Sequence, residues 1–212
     1  MPNDIIDVKT LFGSWPKQPI DVGPDDVIAN LRAHGIGRAI TLSTAAALYD
    51  EASGNQDTWR ECESRPELIP AATLHPHNYL RSERSVAALA EQGFRIFRFL
   101  NRLEGYSLNL YCVRALMRDL AKAGLPCIVD AAAMDDPYRV ARLTADTGVT
   151  AIVTGLGYTF EAEAIALAKD YPHIYFDAGR LTSPDGISLF CREVGAQRLV
   201  FGSDFPFDDT LP

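Results

Sequence analysis

The sequence predicts an α/β protein: a single (β/α)8 barrel domain over residues 1–212, lacking its final helix. Three observations carry this. Short apolar runs alternate with longer helical patterns along the whole chain. Strand starts recur roughly every 24 to 33 residues, the length of one βα unit. No linker, low-complexity segment or shift of composition interrupts the series. A doubly wound open sheet is the alternative way to pack such units.

The strand-like runs are "IIDV" from Ile5, "RAITLS" from Arg38, "LIPAATL" from Leu68 and "FRIFRFL" from Phe94. They continue with "PCIVD" from Pro126, "TAIVT" from Thr150, "IYFDA" from Ile174 and "RLVFGS" from Arg198. Each is short, apolar or alternating, and bounded by Gly, Pro, Asp or Asn. The first helical pattern, "PDDVIANLRAHG", spaces Val27, Leu31 and His34 on one face, puts acids in its first turn and stops at Gly35. "SERSVAALAEQG" takes Ser82 as its cap and ends at Gly93. "NLYCVRALMRDLAKAG" repeats Val113, Leu116, Met117 and Leu120 before Gly124. "DDPYRVARLTADTG" carries Pro137 near its first turn, where a missing N–H costs nothing. "TFEAEAIALAKDYP" and "DGISLFCREVG" complete the helical patterns. After the last strand only "DFPFDDTLP" follows. Either the chain is truncated there, or a second subunit covers the strand-eight face in a homo-oligomer.

Composition narrows the function classes. A formal charge of -8 argues against nucleic acid and anionic membranes, both of which need a basic face. No apolar run approaches the roughly 20 residues that span a bilayer. The start, "MPNDIIDV", has no basic segment followed by an apolar stretch. Cys62, Cys112, Cys127 and Cys191 form no CxxC pair, which fits reduced thiols in a cytoplasmic protein. The expected partner is a small, anionic substrate molecule.

In a barrel of this kind the reactive groups gather at the carboxyl ends of the strands. Those ends hold Lys9, Ser43, Thr44, His75, His77, Arg98, Asp130, Thr154, Asp177 and Asp204. Arg95 and Arg98 are three apart in a strand, so they face opposite sides; Arg98, nearer the carboxyl end, is the one expected to face inward. Its fork suits a substrate carboxylate, or a loop acid such as Glu104. His75 and His77 imitate a metal pair, but Pro76 between them marks the end of the strand, and a role in binding substrate is expected instead.

With these ends aligned, the chain resembles the amidohydrolase-related family of metal-dependent hydrolases and decarboxylases on a (β/α)8 barrel. The likeness rests on "IID", "GNQDTWRECESRPELIPAATLHP", "GFRIFRFL", "GLPCIVDA", "IVTGLG" and above all "VFGSDFPF". By this resemblance Asp204 is the strand-eight aspartate that orients the attacking water. The family's paired histidines of strand one are replaced here by Lys9 and Leu11, the strand-five histidine by Asp130 and the strand-six histidine by Gly155. The resemblance therefore implies a member without the metal and without any cofactor.

A lost divalent ion would strand Asp204 and Asp130 as buried negative charges, which costs several kcal/mol. Asp7, Lys9 and Leu11, two apart in a strand, are expected to share a face. Lys9 is then placed to substitute for the ion by bridging Asp204, Asp130 or both. The expected activity is metal-independent hydrolysis of an ester, lactone or amide bond, with Asp204, Lys9 and Asp130 catalytic and Arg98, His75 and His77 binding substrate. The alternative is a catalytically silent barrel kept for binding or assembly.

Overall fold

The computed structural model describes residues 5–16, 18–78, 85–131 and 136–207. The chain forms two compact units, Met1–Thr73 with Phe201–Pro212, and Leu74–Val200.

The first unit is built on strands β1 (Ile6–Trp15), β2 (Ile20–Val22), β3 (Arg38–Ser43) and β4 (Leu68–Ala72), in the order β2-β1-β3-β4. β1, β3 and β4 are parallel, as βα connections require, while β2 runs antiparallel to the end of β1. β1 is longer than "IIDV" predicts. Beyond the parallel ladder Gly13, Ser14 and Trp15 pair with Val22, Asp21 and Ile20 in a hairpin. Helix α1 (Pro24–Ala33) opens with proline in its first turn, and the Gly23 N–H donates to the Asp26 carboxylate at 2.8 Å. Its Val27, Ile28 and Leu31 pack with Phe12, Ile36, Ala39, Cys62 and Leu68 in one apolar cluster. Two helices, α2 (Thr44–Leu48) and α3 (Glu51–Glu63), follow β3. They approach so closely that a Cβ on Gly54 would lie 2.1 Å from the Ala46 nitrogen.

The second unit contains α4 (Val86–Gln92), β5 (Ile96–Phe99), α5 (Asn101–Glu104), α6 (Tyr111–Lys122) and β6 (Cys127–Asp130). It continues with α7 (Asp136–Thr147), β7 (Ala151–Thr154), α8 (Glu161–Asp170), β8 (Ile174–Asp177), α9 (Gly186–Glu193) and β9 (Leu199–Val200). The strands pair in parallel in chain order, β5 to β9. The face bearing Phe97, Cys127 and Phe176 packs against helices: Cys127 Sγ lies 3.7 Å from Met117 Sδ on α6, and Phe176 meets Phe190 of α9 edge-on at 5.8 Å. Val113, Leu116, Met117 and Leu120 of α6 are all buried, as their spacing predicts.

Helix α4 starts later than predicted. Ser82 lies outside the described residues, and the Ser85 hydroxyl accepts the Ala88 N–H as the cap. After Val200 the described residues, which run to Phe207, contain no helix.

Candidate active site

Lys9 and Asp204 meet. The Lys9 ammonium stands 2.9 Å from Asp204 Oδ2, with the lysine side chain 5% and the aspartate side chain 19% exposed. Both belong to the first unit, where the segment after Phe201 is stitched along β1. Phe201 bridges Asp7 in parallel, and its carbonyl accepts the Val8 N–H at 2.9 Å. The Phe205 carbonyl accepts the Leu11 N–H at 3.0 Å, and the Phe207 ring stands edge-on to Trp15 at 4.7 Å.

Asp204 adopts φ 65, a left-handed conformation that glycine favours and aspartate tolerates better than most residues. Its carbonyl accepts the Phe207 N–H at 2.8 Å, closing a tight turn.

The shared face expected for Asp7, Lys9 and Leu11 needs correction. Asp7 pairs with Ala39 and Thr10 with Thr41, so Val8 and Lys9 together oppose the single Ile40. This extra residue breaks the period-two alternation between Asp7 and Leu11. Asp7 does not address the ammonium of Lys9. Its Oδ1 accepts the backbone N–H groups of Lys9 at 2.9 Å and Ser203 at 3.1 Å, and its Oδ2 accepts the Ser203 hydroxyl at 2.5 Å. Asp7 is fully buried. Neither Asp7 nor Ser203 stands among the sequence-predicted site residues. The one local signal was a carboxylate inside an apolar strand; its partner lies 196 positions away.

The second unit arranges its polar strand ends by regular register. Asp130 pairs with Thr154, and Val153 with Phe176, so Asp130, Thr154 and Asp177 fall in one row on β6, β7 and β8. Arg98 opposes Ile128, one same-face position before Asp130. This row faces away from the helices that cover Cys127 and Phe176. Arg98 is 3% exposed, whereas Arg95 is exposed and donates to the Ala90 and Phe94 carbonyls. The two arginines thus divide as their spacing predicts. Asp130 is half-buried. Asp177 accepts the Gly179 N–H at 2.9 Å, and the Thr154 hydroxyl is buried without a hydrogen-bond partner among the described residues.

His75 and His77 flank Pro76 at the start of a 3-10 turn, Pro76–Asn78, their rings 4.9 Å apart. His75 Nδ1 accepts the His77 N–H at 3.3 Å, and its ring meets Tyr106 edge-on at 5.1 Å. One imidazole nitrogen of the pair is therefore committed to the local backbone. The buried thiols are poor nucleophiles: burial pushes Cys62 and Cys127 up to about 12.

The donor set does not fit a divalent metal at Asp204. A cationic ammonium already lies against this carboxylate, and Leu11 offers no donor atom. Among the described residues, no group of three or more His, Cys, Asp or Glu side chains could hold a metal ion.

The fold is similar to those of several solved structures. Over 97% of its length the chain resembles an uncharacterised TIM-barrel protein from Bordetella bronchiseptica, with a TM-score of 0.73, 13% identity and 87% of that chain covered. A 5-carboxyvanillate decarboxylase from Sphingomonas paucimobilis matches with a TM-score of 0.75 at 9% identity, covering 99% of this chain and 90% of that one. An amidohydrolase from Burkholderia multivorans with bound zinc matches with a TM-score of 0.69 at 14% identity, covering 95% and 84%. These likenesses establish the fold as a (β/α)8 barrel in partial form. No curated protein matches the sequence. A family model described as Amidohydrolase matches residues 18–211. On that match, spanning nearly the whole sequence and ending on the segment that bears Asp204, the chain belongs to the amidohydrolase family.

Proposed function

We propose that this protein is a metal-independent hydrolase acting on an ester, lactone or amide bond of a small carboxylate-bearing molecule. The observation that carries the reading is the Lys9–Asp204 pair at 2.9 Å, an ammonium standing where family resemblance places a metal. In this reading Asp204 takes a proton from water as the water oxygen attacks the substrate carbonyl. The Lys9 ammonium stabilises the oxyanion that develops, and the proton then passes from Asp204 to the leaving oxygen or nitrogen. Arg98 serves as the fork for the substrate's carboxylate, Asp130 as a further catalytic acid or base, and His75 and His77 as substrate contacts. These assignments rest on the sequence and on family resemblance. Decarboxylation is the activity that names some structural neighbours. It ranks behind hydrolysis here because family resemblance makes it a metal-assisted reaction, and the donors at Asp204 do not suit a metal.

The test is a panel of small anionic lactones, esters and amides, with 2,6-dihydroxybenzoate as a decarboxylation control, on protein whose metal content is measured by elemental analysis. The expected result is hydrolysis that survives chelation and falls at least about 100-fold in Asp204→Asn. Hydrolysis that needs zinc or manganese overturns the metal-independent mechanism. An inert panel with metal-free protein favours the alternative, a silent barrel retained for binding.

A further inference from the structure

We propose that Asp7 is a positioning residue for the Lys9–Asp204 pair, holding through a single carboxylate the backbone that carries each partner. The inference rests on reading those two side chains as the working groups of the site. Oδ1 of Asp7 accepts the N–H of Lys9 at 2.9 Å, so it grips the residue that bears the ammonium. The same oxygen accepts the N–H of Ser203 at 3.1 Å, and Oδ2 accepts the Ser203 hydroxyl at 2.5 Å, so the carboxylate also grips the residue next to Asp204. Ser203 Oγ in turn accepts the Phe205 N–H at 3.1 Å. Both neighbours of Asp204 therefore hang from Asp7.

This matters because the local backbone does not hold Asp204 in place by itself. At φ 65 a residue with a Cβ is in a sparsely populated region, and such residues persist only where their surroundings over-determine them. On the other side, Lys9 sits beside the extra residue of β1, where ladder pairing no longer dictates its direction. Two groups that must meet within 3 Å thus lie on two irregular pieces of backbone. One buried acceptor ties those pieces together. A carboxylate suits the task because all three bonds need acceptors. Asparagine would keep the shape, remove the charge and put an amide donor where Oδ2 accepts the Ser203 hydroxyl, so that this bond must reverse or break.

The test is a triple-mutant box read by urea unfolding. The coupling between Lys9 and Asp204 is measured from Lys9→Met, Asp204→Asn and the double variant, first with Asp7 and then in an Asp7→Asn background. We expect a coupling of about tenfold in the folding equilibrium constant with Asp7 present, falling to within about twofold of none in Asp7→Asn. If Asp7 is merely structural, all four proteins of the second set lose stability alike and the coupling stays intact; that result overturns the proposal. Should Asp7→Asn fail to fold, the box is repeated in Ser203→Ala, which removes the hydroxyl link and keeps Asp7. A coupling reduced there supports the proposal, and one within about twofold of the wild-type value overturns it. No substrate enters this measurement, so its failure is distinct from failure of the hydrolase assignment.

Discussion

Strand β1 and the carboxyl ends of β6, β7 and β8 present polar groups by two different means. Along β6, β7 and β8 the parallel register is uninterrupted, and it alone sets Asp130, Thr154 and Asp177 in one row. Along β1 the register slips by one residue, and the placement of Lys9 and Asp204 depends on side-chain bonds to Asp7. The first arrangement is supported by apolar packing behind the strands, with Phe97, Cys127, Val153 and Phe176 wholly buried. The second is supported by a buried carboxylate, a hydroxyl and an ion pair. Regular sheet makes a row of side chains cheap to place and hard to re-aim. An irregular strand frees one side chain to point elsewhere, and polar contacts must then hold it.

Substitutions can break either support separately. The largest effect is expected from Phe176→Ala, which removes a fully buried ring packed on Phe190. We expect a loss of about 3–5 kcal/mol in urea or thermal unfolding. A loss below about 1 kcal/mol would show that packing does not sustain the regular row.

Lys9→Met comes next. It keeps the stem and removes the ammonium from beside Asp204, whose side chain is partly exposed. Full burial would make the loss of one partner cost about 3–5 kcal/mol; solvent access reduces the expectation to about 1–2 kcal/mol. Unchanged or increased stability would mean that the ion pair does not support the irregular strand.

The smallest effect is expected for Thr154→Val. The hydroxyl is buried in the regular row without a hydrogen-bond partner among the described residues, and valine keeps the shape. Stability should change by less than about 0.5 kcal/mol or rise by up to about 1 kcal/mol, because a desolvated hydroxyl is removed. A loss above about 1.5 kcal/mol would instead reveal that the Thr154 hydroxyl makes a bond essential to the row.

The sequence-based reading and the structure part company at identifiable residues. The burial of Arg98 with Arg95 exposed follows from alternation, since β5 is regular. The row from Asp130 to Asp177 comes instead from the pairing register of β6, β7 and β8, which alternation within one strand does not set. The hairpin of β1 with β2 was missed because Ile20–Val22 is three residues long, too short for a periodic signal. The Ser85 cap was missed because two serines, Ser82 and Ser85, compete at the start of that helix. The Asp7–Ser203 bonds were missed because they join residues 196 positions apart, and no local pattern encodes such a pair.

By itself, then, the sequence determined the alternation of strands and helices and the buried faces of the regular elements. Those features follow from hydrophobic period and turn chemistry, which act over a few residues. Only the tertiary structure decided that β1 carries one residue too many at Val8 and Lys9, that Asp204 takes a left-handed turn, and that Asp7 serves the backbone rather than the ammonium. Each of these depends on what a distant segment offers to a buried polar group, and a group removed from water bonds to whatever partner the fold brings within reach.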